Sequence, residues 1–204
     1  MATSQDERAF GSDVVELYRR ASEEFRVRVR GVEPKDWQRP TPCSEWDVRA
    51  LVHHVVEEER WVPPLLGGAT IEEMEGRLSG DLLGADPPGS VERAAEEAER
   101  AVADLRPPEG KVHLSYGEEE PEEYLRQVLA DHVVHAWDLA AAVDGDKRFD
   151  PVLVTAVAEW FTAREETYRA GGVIGARAQS RSEDPQDQLL AAFGRDPSWA
   201  PPPR

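Results

Sequence analysis

The sequence predicts an all-α protein, a four-helix bundle followed by a helical C-terminal appendage, with room for short strands between elements. Three observations predict it. Residues 6–30, 45–62, 91–106 and 121–143 repeat apolar side chains at spacings of three and four, the period of a helix. Prolines, glycines and capping residues bound these segments. A chain of 204 residues with 40% hydrophobic content can bury one sizeable core. We expect residues 1–146 to form the bundle and 147–204 an extension packed on it.

The first helix is carried by Phe10, Val14, Leu17, Ala21 and Phe25, and Gly31 is its expected stop. The stretch GVEPKDWQRPTPCSEW holds three prolines and two tryptophans, which predicts an ordered extended connection whose tryptophans seal one end of the core. Ser44, with Asp47 three residues on, reads as the cap of the second helix, whose stripe runs through Val48, Leu51, Val55 and Val62 and which Pro63-Pro64 should end. Residues 65–89 read as a loop with a short helix through Ile71, Met74, Leu78 and Leu82, serving as a lid or as a surface excursion.

Ser90 is the expected cap of a third, alanine-rich helix, with Val91, Ala94, Ala98, Ala101 and Leu105 on its stripe and Pro107-Pro108 after it. Val112 to Tyr116 reads as a strand or an extended lead-in. Pro121 then opens the fourth helix, which from Ala130 to Val143 is apolar on almost every side and belongs in the bundle or at a subunit interface. Asp150-Pro151 starts a fifth helix running to about Arg169 with Leu153, Val157, Trp160 and Tyr168 inward. A short strand at 173–178 and a helix from Pro185 to Gly194 complete the appendage; residues after Asp196 look frayed or draped.

Composition narrows the function. A net charge of −17 repels phosphate backbones and anionic membrane surfaces, so neither nucleic acid nor membrane is an expected partner. The start lacks a basic segment followed by an apolar run, and no stretch approaches a membrane span, which predicts a soluble, cytoplasmic protein. Cys43 is the single cysteine, so a metal must take nitrogen and oxygen ligands. The acidic runs Glu57–Glu59 and Glu118–Glu123 read as a solvated face and an acidic helix start.

Asp131 and His135 interrupt the stripe of the fourth helix. Four apart, they stack on one face and can close on one cation. The second helix offers a third ligand. His53 has Arg49, Glu57 and Arg60 as helical neighbours and should face solvent, whereas His54 stands at the edge of the buried stripe. The set His54, Asp131 and His135 suits Zn²⁺, and also Ni²⁺, Fe²⁺ or Mn²⁺, and leaves a position open. Asp138, Glu57 and Glu58 are candidate acceptors for the imidazole N–H groups. A metal-free reading stands beside this one: a histidine next to an apolar stripe is often a hydrogen-bonded core residue, and His132 also lies on the inward half of the helix. Cys43 reads as a buried structural thiol, and His113 as a surface residue.

The stretches PTPCSEWDVRALVHHVV and LADHVVHAWDLA, with the tail PQDQLLAAFGRDPSW, resemble the DinB-like metal-binding proteins of actinobacteria, and within them the mycothiol-dependent maleylpyruvate isomerase N-terminal domain group. The resemblance implies a four-helix bundle with a divalent metal, usually zinc, held by a histidine of helix two and an acid-x-x-x-His pair of helix four. These fall on His54, Asp131 and His135. The isomerase has glutamate where this chain has Asp131, and a further C-terminal domain, so its own activity is not carried over. What the resemblance implies is a metal-dependent thiol transferase with mycothiol as cosubstrate and an electrophile entering beneath residues 67–89. The alternative is a non-catalytic metal-binding stress or interaction module, forming a homodimer through helix four.

Overall fold

The computed structural model describes residues 6–104, 110–172 and 174–202, with side chains from residue 13 onward. Four helices make the bundle: α1 (Asp6–Arg30), α2 (Val48–Leu66), α3 (Pro87–Ala103) and α4 (Pro121–Ala142). α1 packs chiefly on α4, and α2 on α3. The predicted stripes are the core, with Leu17, Phe25, Leu51, Val55 and Leu129 buried together and Val14, Val62 and Leu125 in a second cluster. Burying a side chain of this size contributes about 1.5–3 kcal/mol, so these stripes dominate the choice of fold. The apolar second half of α4, residues Ala130 and His132–Ala142, is buried within the single chain and so belongs to the bundle interior.

Three shorter helices follow, α5 (Pro151–Thr162), α6 (Glu165–Ala170) and α7 (Pro185–Ala192). Leu153, Val157, Leu189 and Leu190 join the same cluster as Leu51 and Trp137, so the appendage shares the bundle's core. A hairpin of β1 (Val112–Leu114) and β2 (Gly117–Glu119) pairs Val112 with Glu119, antiparallel, just before α4. Its second strand went unseen because Glu118–Glu120 carry no apolar alternation.

Several boundaries differ from the sequence reading. Trp46 N–H bonds to Cys43 C=O and closes a tight turn, which leaves Asp47 rather than Ser44 to cap α2, accepting from Ala50 N–H at 2.8 Å. Pro63 and Pro64 do not end α2 but lie in its last turn, where their carbonyls accept from Gly67 and Ala69. Asp86, not Ser90, caps α3, because Pro87-Pro88 suit a first turn; Ser90 instead donates to Leu83 C=O. The predicted side chains of Phe10, Leu105 and Pro107-Pro108 lie outside the described residues. The short helix in residues 65–89 is one 3₁₀ turn, Glu72–Met74. The fifth helix breaks at Ala163–Arg164 into α5 and α6, and Trp160, Arg164 and Tyr168 converge there on Glu123 of α4. Residues 174–178 form no strand; Ala178 N–H bonds to Ala191 C=O of α7.

Candidate metal centre

α2 and α4 pack side by side, which brings His54 within reach of Asp131 and His135. One nitrogen or oxygen from each of the three lies within 4.8 Å of the others. His135 Nε2 stands 3.3 Å from Asp131 Oδ1, and His54 Nε2 stands 3.5 Å from Asp131 Oδ2. His54 is thus in ion-pair range of Asp131 Oδ2 without a good hydrogen bond, and that oxygen is buried with no hydrogen-bond partner. A buried carboxylate oxygen without a donor costs about 1–3 kcal/mol or more, unless a cation or ligand completes it. The donor set, two imidazoles on either side of one carboxylate whose Oδ2 lacks a hydrogen bond, fits a divalent ion.

The surroundings fix the rings. His135 donates Nδ1–H to Asp138 Oδ2 at 3.0 Å, which turns Nε2 toward Asp131 and the site. Asp138 is fully buried and is held by Arg195 from the C-terminal tail, Nη2 to Oδ2 at 2.8 Å. Burial would raise the Asp138 carboxyl, but His135 and Arg195 outweigh it and hold it low. Burial likewise opposes charge on His135, yet Asp131 and Asp138 raise it well above the ordinary range. Trp46 lies against both ligand rings, with centroid separations of 4.8 Å to His54 and 5.6 Å to His135.

A second group, Cys43, His135 and Asp138, also has metal-ligand spacing. It already holds a cation. Arg195 Nη2 lies 3.0 Å from Cys43 Sγ as well as on Asp138, so a metal there would meet a guanidinium. Of these two groups among the described residues, His54–Asp131–His135 is the open one. It faces a cleft of about 740 Å³ walled by α4, the Cys43–Trp46 turn, the hairpin and the appendage, with Trp160, Tyr168, Phe193 and Arg195 contributed by the last. Residues 67–89 do not line this cleft. They are tied to the outer side of α2 through Arg49–Asp81 and His53–Gly80 contacts.

His132 turns the other way. Its Nε2 meets Glu59 Oε1 at 2.6 Å and its Nδ1 donates to Val128 C=O at 2.7 Å. Tyr18 at 2.5 Å and Ser22 at 3.1 Å donate to the same carboxylate. Burial disfavours both charges, but their mutual attraction lowers Glu59 and raises His132, giving a buried ion pair. Glu59 thus departs from the solvated face expected of Glu57–Glu59. Glu58 lines the cleft instead, where burial and Asp131 push its carboxyl up to about 7. The sequence reading also missed Arg195 and gave Cys43 the wrong setting: it is half-buried at the cleft wall. The tail resemblance around PQDQLLAAFGRDPSW was the available signal for Arg195.

A helical bundle with an open two-histidine, one-carboxylate set at the mouth of a cleft defines a class of candidate metal-binding proteins. Within that class the chain belongs to the mycothiol maleylpyruvate isomerase N-terminal domain family, which matches residues 18–140. It is similar to two proteins of Mycobacterium tuberculosis, the uncharacterized proteins MT0763 of strain CDC 1551 / Oshkosh and Rv0738 of strain ATCC 25618 / H37Rv. Each is 32% identical over 195 residues, spanning 90% of this chain and 98% of the relative. No solved structure gives a significant match. Among the described residues no helix is long and apolar enough to cross a membrane.

Proposed function

We propose that the chain is a divalent-metal protein of the thiol-transferase or isomerase-like type, with His54, Asp131 and His135 as ligands, zinc as the ion and mycothiol as cosubstrate. The observation that carries this reading is Asp131 at an open cleft, with Oδ1 toward His135 and a buried Oδ2, lacking any hydrogen bond, toward His54. A divalent ion held there supplies Lewis acidity, which favours the thiolate over the thiol at neutral pH. The chain's own residues supply the rest. Asp138 and Arg195 keep His135 Nε2 directed at the site, Trp46 limits water at the ligand rings, and the aromatic wall from the appendage gives an electrophile an apolar seat. On this reading residues 1–146 are the metal-binding bundle and 147–204 complete the substrate cleft.

Elemental analysis of protein purified without a histidine tag tests the centre: about one equivalent of a transition metal is expected, and less than about a tenth would overturn it. Thiol binding to the metal-loaded chain, lost in His135→Ala, supports the transferase over a non-catalytic metal-binding module. Absence of thiol binding at full metal loading would favour the module.

A further inference from the structure

Two sets of donors compete for one ring. His135 belongs to both groups of described residues with metal-ligand spacing, with His54 and Asp131 on one side and with Cys43 and Asp138 on the other. Its Nε2 faces Asp131 Oδ1 at 3.3 Å and its Nδ1 faces Asp138 Oδ2 at 3.0 Å. A neutral imidazole has one free nitrogen, so the ring can serve one set at a time.

Donor chemistry alone does not keep a metal out of the second set. Cys43 and Asp138 offer a half-buried sulfur and a buried carboxylate, and thiolate sulfur draws zinc as well as softer ions. What stands in the way is Arg195. Its Nη2 lies 3.0 Å from Cys43 Sγ and 2.8 Å from Asp138 Oδ2, and its Nε lies 3.2 Å from both Asp138 oxygens. The guanidinium thus touches both of the donors that a metal would join. It is also held in place. Nη1 donates to Phe193 C=O at 3.0 Å, and the Phe193 ring stacks on Phe161 at 4.1 Å, which fixes the tail where it forms part of the cleft wall.

We infer that Arg195 is a metal-selectivity guard: by filling the Cys43–His135–Asp138 group with its own positive charge, it bars that group to metal ions and reserves His135 Nε2 for the His54–Asp131–His135 group. The inference rests on the metal reading above and adds to it how one of two overlapping sites is chosen. With the guanidinium in place, Asp138 stays an acceptor for His135 Nδ1–H. With it gone, an ion joined by the Cys43 thiolate and Asp138 takes Nδ1 as its third ligand. The thiol and Nδ1 protons then leave to solvent, the ring keeps its proton on Nε2, and His54 and Asp131 lose their third ligand. Arg195 binds no metal itself; it is a positioning residue acting through Cys43 and Asp138.

The test loads the full chain with cobalt(II), a zinc stand-in whose near-ultraviolet absorption gains a charge-transfer band when a thiolate binds it. The parent chain is expected to take cobalt without that band, and Arg195→Gln to show it. Cys43→Ser on the Arg195→Gln background should remove the band, and Arg195→Lys, which keeps a positive charge, should suppress it. In competition, Arg195→Gln should favour cadmium over zinc about tenfold more than the parent does. Arg195→Met keeps the apolar length of the side chain and carries the same expectation should Arg195→Gln fail to fold. Cobalt bound to both Arg195→Gln and Arg195→Met without the band would overturn the guard and leave the metal centre standing. A thiolate band in the parent would overturn the guard and move the centre to Cys43, and failure of the parent to bind cobalt at all would overturn both.

Discussion

Two polar clusters stand back to back on α4, and consecutive residues feed opposite ones. On α2, Glu58 goes to the cleft and Glu59 to the interior; on α4, Asp131 goes to the cleft and His132 to the interior. The interior cluster is closed: both His132 nitrogens and both Glu59 oxygens are bonded, with Tyr18 and Ser22 as the other partners. The cleft cluster is open, with an orphaned Asp131 oxygen and three donor groups converging on one point. The same residue types therefore do different work. Where every polar atom has a partner inside the chain, the group joins α1, α2 and α4; where one is left over, the group awaits something from outside.

The contrast breaks most sharply at the ligands. His135→Ala is expected to lower zinc affinity by at least about a thousandfold, since a two-ligand remnant no longer encloses the ion. The melting temperature without metal should fall as well, because His135 is buried and its loss leaves Asp131 and Asp138 without their imidazole partner. Competition with a chromophoric chelator and a thermal melt read the two quantities.

Glu59→Gln should move the stability alone. Removing one member of a buried pair leaves His132 charged and unpaired, at about 3–5 kcal/mol of stability in a denaturant titration, with zinc stoichiometry kept. The pH dependence follows from the two shifts. Glu59 is lowered, so its contribution is lost as pH falls through its folded value. His132 is raised, so its contribution is lost as pH rises through its own. Stability of the parent relative to Glu59→Gln should therefore peak between these limits. A smaller effect is expected at Arg195. Arg195→Gln removes the counter-charge of Asp138 and should weaken zinc about tenfold to a hundredfold, and the double variant with Asp138→Asn should cost no more than Asp138→Asn alone.

Glu58 gives the smallest change and the opposite sign from its neighbour. Its carboxyl is raised to about 7, so the metal-free fold loses stability as pH climbs from its ordinary range toward 7. Glu58→Gln should flatten that slope and stabilise the metal-free protein above pH 7 by on the order of 1–2 kcal/mol. A destabilised variant at pH 8 would contradict the assignment of Glu58 to the open cluster.

The four bundle helices were legible because their apolar stripes are long and periodic, and a helical period settles which face is buried. The same reasoning separated His54 from His53 and aligned Asp131 with His135. It did not separate Glu58 from Glu59, because a run of acids carries no apolar contrast. It could not see Cys43 beside Arg195, since residues 152 apart in sequence meet through tertiary packing alone. The boundaries that moved, at Asp47, Pro63-Pro64 and Asp86, moved where two capping residues or prolines competed and a local turn decided between them. The loop of 65–89 carried glycines and spaced apolar residues but nothing in its sequence told which side of α2 it would lie on.

Arg195 gives the protein an order of assembly. His54, Asp131, His135 and Asp138 are all synthesised before it, and bundles of this kind can collapse as their helices emerge. Without the tail, Asp138 would keep only the His135 ring and the Cys43 thiol as partners, with no full cation dedicated to it. The guanidinium supplies that charge and fixes the carboxylate that holds Nδ1, while Nε2 points to Asp131. The segment that follows the bundle in sequence is thus the one that finishes the site its helices build.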